Sequence, residues 1–452
     1  MRFQGFWRQL LMVGGFLACA CGRTSHDSEP LEGGTVVRMP TGCAAVGDAC
    51  DADAGGDSGI VTSVASGLYH TCALFADGTV KCWGDNSYGQ LGTGVGCLQK
   101  SSAPLPVSHL RGVKALSAGD LHTCALLVDG TVACWGEVPG GLEDSTTPTT
   151  IDAGSDVQCP IIISTGAPEG FGSMPGAIPG LSGVVSIAAG NDVDCAVSAD
   201  GTARCWGWVG GGGLGNGTGL SETATGPSWV TTPTVVSGFL DVASVATGSF
   251  FGCEVLRDTT VACWGQNESG ELGDGTTNAS AIPVPVRDLS GVSEVTTAEN
   301  SGSPRCAACY AYACALLADG TVQCWGEDQD GTLGNGTTAP VATTTPAAVS
   351  NLGAVASLSA GPGHIFAILT DGTVAAWGAN RCGELGDGTT TDATEPIYPK
   401  ALAHVASISS GECHACAALV DGSVVCWGDN GEGQLGSAVA GGASLTPVPV
   451  EW

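Results

Sequence analysis

The sequence predicts an all-β fold in which seven copies of one short unit close into a ring. Three observations carry that expectation. An octapeptide of the form D-G-T-V-x-C-W-G recurs seven times, ending at Gly84, Gly136, Gly207, Gly265, Gly326, Gly378 and Gly428. Gly, Thr, Ser, Val and Ala dominate while Lys, Glu and Met are scarce, a composition that disfavours helix. With 43% apolar residues in 452, the chain is long and apolar enough to bury a large core. Its 44 acidic residues against 14 basic ones give a formal charge of −30. That balance excludes nucleic acid as a partner, because phosphate binding needs a cationic surface.

Along the chain, Arg2 and Arg8 form a short basic region before the apolar run at residues 10–20. The run is too short to span a bilayer, which takes about 20 apolar residues, and residues 1–20 read as a secretory signal. Leu17-Ala18-Cys19-Ala20-Cys21-Gly22 resembles a bacterial lipobox, in which a small residue precedes the cysteine that becomes lipidated. Both Cys19 and Cys21 satisfy it. Of the 22 cysteines, cleavage before Cys21 leaves twenty beyond it, the even number expected of an exported chain, so Cys21 is the expected lipidation site. An ordinary cleaved signal and free secretion is the alternative. Gly22 stands where an Asp would favour inner-membrane retention, which places the expected anchor at the outer membrane or surface of a Gram-negative bacterium. Loss of Arg2 and Arg8, with no acid, moves the charge from −30 to −32. Residues 21–58 read as an acidic flexible tether. Asp51, Asp53 and Asp57 suggest a calcium loop, but Thr62 stands at its twelfth position, where a bidentate Glu belongs.

From residue 59 each copy has the same grammar. Val61, Val113, Val184, Val242, Val355 and Val405 lie six residues before Gly67, Gly119, Gly190, Gly248, Gly361 and Gly411. A strand like H-T-C-A-L follows, then the D-G turn, then T-V-x-C-W-G. A glycine loop such as Gly89-Gln90-Leu91-Gly92 and a Pro-rich extended segment complete the unit. The fifth copy carries Ala298 at the glycine position and an insertion before Cys314. One unit has two apolar faces, and stacking seven around an axis buries them all. The chain enters the repeat in mid-unit and leaves it with Thr446-Pro447-Val448-Pro449-Val450. The C-terminal strand is therefore expected to complete the blade begun at the N-terminus.

The pattern G-x-x-H-x-C-A-L, D-G-T-V-x-C-W-G, G-Q-L-G resembles the repeats of the regulator of chromosome condensation family over about residues 59–452. The resemblance implies a seven-bladed β-propeller. Function is not implied with it, because one fold hosts many activities. The family's exchange-factor activity toward a nuclear GTPase conflicts with a signal peptide, and its chromatin binding conflicts with the charge. A secreted β-lactamase inhibitory propeller of this repeat class, which binds a protein on one face, is the nearer analogy.

Cys72 and Cys82 lie symmetrically about the Ala76-Asp77-Gly78 turn, at a non-hydrogen-bonded pair of facing strands. That position is within disulfide reach. The same spacing pairs Cys124 with Cys134, Cys195 with Cys205, Cys253 with Cys263, Cys314 with Cys324, and Cys416 with Cys426. The sixth copy has Phe366 and Ala376 there, so both thiols vanish together, as bonded partners would. The histidines near these pairs (His70, His122, His364 and His414) do not complete a zinc set, and His364 has no thiols beside it. No metal and no cofactor is expected. Cys43 with Cys50, Cys97 with Cys159, and Cys382 with Cys413 are further candidate pairs, and Cys306 with Cys309 reads as a loop staple.

Trp83, Trp135, Trp206, Trp264, Trp325, Trp377 and Trp427 share one repeat position and are expected to pack blade on blade. The repeated aspartates suit turns. Function is expected where symmetry breaks: at residues 137–181 with Phe171, at 208–229 with Trp208 and Trp229, and at 298–312 with Arg305, Tyr310 and Tyr312. Aromatics and an arginine on irregular loops are typical contact residues. No nucleophile elbow, phosphate loop or catalytic His/Asp set is present. The expected function is a monomeric, non-enzymatic surface scaffold binding a protein or glycan, touching the membrane only through its lipid. The alternatives are a carbohydrate-active or metal-assisted propeller enzyme, and a secreted enzyme inhibitor.

Overall fold

A computed structural model describes residues 59–94, 100–137, 174–220, 229–238, 240–298, 311–337, 343–399, 401–437 and 442–452. Seven four-stranded antiparallel sheets form the blades of a propeller. Blade 1 consists of Val61–Ser66, His70–Phe75, Val80–Asp85 and Lys100–Pro106, in that spatial order. Blade 7 repeats the plan with Val405–Ser410, His414–Leu419, Val424–Asp429 and Ala443–Pro449. In blade 2 the fourth strand shrinks to Gly176–Ala177.

The octapeptide explains the hairpin between the second and third strands. The Asp77 Oδ1 accepts hydrogen bonds from the backbone and hydroxyl of Thr79, at 2.9 and 2.6 Å. Gly78 takes the left-handed conformation, φ +79°, that closes the turn. Cys72 then faces Cys82 across the ladder with Cα atoms 4.0 Å apart, and a disulfide joins them.

The other ten-residue pairs are bonded in the same way. In blades 2 and 3, Cys124 is joined to Cys134 and Cys195 to Cys205, each with Cα atoms 4.1 Å apart. Blade 4 joins Cys253 to Cys263 at 4.0 Å. In blades 5 and 7, Cys314 is joined to Cys324 and Cys416 to Cys426, both at 4.1 Å. Each of the six pairs faces directly across its hairpin, as the symmetric spacing about the turn predicts. In blade 6 the facing residues are Phe366 and Ala376. A further disulfide joins Cys382, in the glycine loop of blade 6, to Cys413 at the entry of blade 7.

Each blade interface holds its own apolar cluster, seven in all among the described residues. All seven repeat tryptophans are buried at these interfaces. Six of them also donate an indole hydrogen bond to the glycine loop of the preceding blade. Trp135 Nε1, for example, reaches the Gln90 carbonyl at 2.9 Å, and Trp325 reaches that of Glu271 at 2.8 Å. The loop glycine has to be a glycine because its Cα rests on that ring: a Cβ at Gly92 would press on Trp135. The neighbouring Leu91 is fully buried.

Closure differs from the sequence expectation. Blade 1 draws all four strands from residues 61–106, and Ala443–Pro449 pairs with Val424–Asp429 inside blade 7. The Pro-rich segment belongs to the blade before it, as Lys81 opposite Pro106 and Cys82 opposite Leu105 also show. No strand is exchanged, and the ring closes by the same packing used at other interfaces. Trp83 Nε1 donates to the Gln434 carbonyl at 2.9 Å, Thr71 Oγ1 meets His414 Nε2 at 2.9 Å, and the Ser66 amide donates to Ser409 Oγ at 2.9 Å. Trp452 lies edge-on over Phe75 and Trp83, with the Lys81 ammonium 5.5 Å from its ring.

Candidate functional site

The antiparallel order sends every first strand toward the same face. The ends of the first strands, at Gly67, Gly119, Gly190, Gly248, Ala298, Gly361 and Gly411, all line one axial cavity of about 110 Å³. The first and third strands end at that face, and the second and fourth strands start from it. The D-G turns lie on the opposite one. Residues between Glu137 and Met174 and between Trp208 and Trp229 follow third strands, and those between Ala298 and Ala311 follow a first strand. All three departures from the repeat therefore leave from the cavity face.

The axial glycines are there because the blades approach closely. A Cβ on Gly67, Gly119 or Gly190 would collide with the carbonyl oxygen of the next blade's glycine. One residue farther on, symmetry lapses: Leu68, Asp120, Asn191, Ser249, Pro362 and Glu412 occupy equivalent places around the cavity.

A belt of buried polar groups runs beneath, between the second strands. His70 Nε2 meets Thr123 Oγ1 at 2.8 Å, and His122 Nε2 meets Asp194 Oδ1 at 2.9 Å. Burial pushes His70 and His414 down to about 3, and His364 down to about 4, so all three are neutral in the fold. His122 differs. Burial is the largest influence and works against its charge, but the charge and hydrogen bond of Asp194, with the carboxylates of Asp120 and Glu137, together lift it above the ordinary histidine value. His122, Cys124 and Asp194 lie close enough to suggest a metal site, but the Cys124 sulfur is bonded to Cys134 and offers no thiolate.

Several carboxylates on or near the interfaces are also displaced. Burial raises Glu254 to about 8, Glu271, Glu294 and Glu384 to about 7, and Asp192 to about 6. Glu254 is the most isolated. It is fully buried, neither oxygen has a hydrogen-bond partner, and it takes the place held by Ala73, Ala125, Ala196, Ala315, Ala367 and Ala417 in the other blades. A charged letter in an alanine column was the signal that sequence reading passed over.

Of the predicted contact residues, Trp208 and Trp229 come together edge-on, with centroids 5.0 Å apart, and both are partly exposed. The Gly210–Gly212 turn folds against the Trp208 indole, where a Cβ at Gly210 would collide. The expectation for Tyr312 is overturned. It begins the second strand of blade 5, fully buried, and its hydroxyl donates to the carbonyls of Gly361 and His364, at 2.6 and 2.9 Å. It fills the place of the belt histidines and contacts blade 6, so it cannot meet a partner. Phe171, Arg305, Tyr310 and Cys21 lie outside the described residues, as do Cys43, Cys50, Cys97, Cys159, Cys306 and Cys309.

Two descriptions of the regulator of chromosome condensation (RCC1) repeat match the sequence. One covers residues 61–90, 355–384 and 405–434, and the other covers 77–126, 319–368 and 371–418. These stretches are similar to RCC1 repeats. The chain is 26% identical over 348 residues to the ultraviolet-B receptor UVR8 of Arabidopsis thaliana, covering 74% of this chain and 69% of that one. It is 27% identical over 336 residues to the human E3 ubiquitin-protein ligase HERC2, covering 72% of this chain and only 6% of the ligase. Among solved structures, Prp20p of Saccharomyces cerevisiae is similar with a TM-score of 0.64 at 20% identity, over 87% of this chain and 88% of that one. Human WBSCR16 is similar with a TM-score of 0.61 at 22% identity, over 78% and 85%. At such identities these structures speak for the fold alone.

Proposed function

We propose that this RCC1-repeat propeller is a non-enzymatic scaffold that works outside the cytoplasm and recognises a protein or glycan with its cavity face. The observation that carries this reading is geometric: the three segments that break the sevenfold repeat all leave from that one face. Symmetric positions are used up by packing, so departures from symmetry are where selection for a partner can act. Six buried cross-strand disulfides support work in an oxidising compartment. In keeping with the motif at Cys21, the chain is held at the outer membrane or cell surface by lipid. The name of one relative, a receptor, fits a binding role. A charge of −30 argues against chromatin as the partner here. No specific observation favours a catalytic or inhibitory alternative. The axial cavity of about 110 Å³ falls below the roughly 300–1,000 Å³ of ordinary small-ligand sites.

The test is affinity capture from cell-envelope material with the full chain as bait. A second bait has residues 138–173 and 299–310 each replaced by a short Gly-Ser linker. The proposal expects a partner retained by the first bait and lost by the second. Equal retention by both, or cofractionation of the protein with cytosolic markers, would contradict it.

A further inference from the structure

We propose that the axial cavity binds a hard divalent cation, calcium, with the Glu412 carboxylate as its principal ligand. Glu412 follows Gly411 at the end of the first strand of blade 7 and lines the cavity. It is 3% exposed, and neither carboxylate oxygen has a hydrogen-bond partner. A carboxylate held out of water with no hydrogen-bond donor and no cationic side chain in the lining presents both oxygens to a cation that enters the cavity. The protein supplies no cation of its own: among the described residues that line the cavity there is no Lys, Arg or His. The lining instead offers a second carboxylate, Asp120, together with the hydroxyls of Ser249 and Ser410 and the amide of Asn191.

The donor set decides the class of ion. Oxygen-only surroundings with two carboxylates suit a hard cation and not zinc or copper, which favour thiolate and imidazole. A cavity of about 110 Å³ has room for an ion with several waters. The irregular ligands, drawn from four blades, suit the flexible coordination of calcium better than the strict octahedron of magnesium. Such an ion would tie together the ends of the first strands at the centre of the proposed recognition face. The site rests on Glu412 and its surroundings, independently of what that face binds.

The experiment uses the full chain, stripped with EDTA and titrated with calcium chloride by calorimetry, alongside thermal melting with and without calcium. One ion per chain and a melting temperature raised by several degrees at saturation are expected. Glu412→Gln keeps the shape and removes the charge. It should weaken binding at least tenfold and abolish the calcium-dependent shift, while melting in EDTA no lower than the parent. Asp120→Asn should weaken binding severalfold, and carries the test if Glu412→Gln does not fold. Changing Asp51, Asp53 and Asp57 together to Asn should leave both readouts unaltered. The proposal is overturned by absence of calcium uptake, by full affinity in either cavity variant, or by loss of binding in the triple variant.

Discussion

The interface between blades 1 and 2 and that between blades 3 and 4 use one frame and fill it differently. In the first, His70 meets Thr123, the Trp135 indole is satisfied by Gln90, and small alanines face the neighbouring sheet. In the second, Val193 and Gly252 replace the histidine and threonine, and Glu254 replaces an alanine; the turn of blade 4, which packs on the entry of blade 5, carries Thr259 at φ +71° in place of its glycine. Trp206, at the interface between blades 2 and 3, is the one repeat tryptophan whose Nε1 has no partner among the described residues. The blade before it is the one whose glycine loop is replaced by the long insertion. Irregular interfaces thus gather in the arc that carries insertions, and the regular ones run through blades 7, 1 and 2. A closed ring tolerates this because every blade is held from both sides and most are stapled within.

The contrast can be broken in a series of steps. The largest effect is expected at the tryptophans: Trp325→Ala should cost about 3–5 kcal/mol in chemical denaturation. Trp206→Phe should cost less than Trp325→Phe by about 1 kcal/mol, since only the latter loses an indole hydrogen bond. Equal losses would remove Trp206 from the irregular class. Next come the staples. Replacing Cys124 and Cys134 together by Ala should cost about 2–3 kcal/mol for so short a loop. Conversely, Phe366→Cys with Ala376→Cys places thiols at facing positions, and peptide mapping should find them joined.

Glu254→Ala should stabilise the protein by about 1–3 kcal/mol at pH 8, because an unpartnered buried carboxyl is removed. The sign with pH follows from linkage. Glu254 is raised to about 8 from 4.5, so the folded state binds the extra proton. Its contribution is complete below pH 4.5 and lost as pH climbs to 8. The neutral His70, His364 and His414 act oppositely. Their unfolded value is 6.5 and their folded values are about 3–4, so stability drains as pH falls below 6.5. In Glu254→Ala the alkaline loss should shrink while the acid loss persists, as melting curves across pH would show. Smallest is Thr259→Gly, expected to gain about 0.5–1 kcal/mol by relieving a left-handed threonine.

Blade number, hairpin register and thiol pairing were legible because they repeat: seven aligned octapeptides leave little freedom in where Cys72 meets Cys82, or Cys205, Cys263 and Cys324 their partners. Closure was misread because the Pro-rich segment adjoins the next first strand in sequence under either pairing, and only the ladder between Cys82 and Leu105 decides it. Tyr312 was misplaced because the insertion before it hides that it shares the column of His70 and Phe251. The axial cavity had no local signature at all. It is assembled from runs of two or three residues, 50–71 positions apart, which come together only when the ring closes.

Peptide mapping of the non-reduced full chain, purified from the envelope of an exporting cell, tests the account most directly. Six intramolecular pairs are predicted, each linking cysteines ten residues apart, beginning with Cys72–Cys82 and ending with Cys416–Cys426. Free thiols at those twelve positions would contradict it.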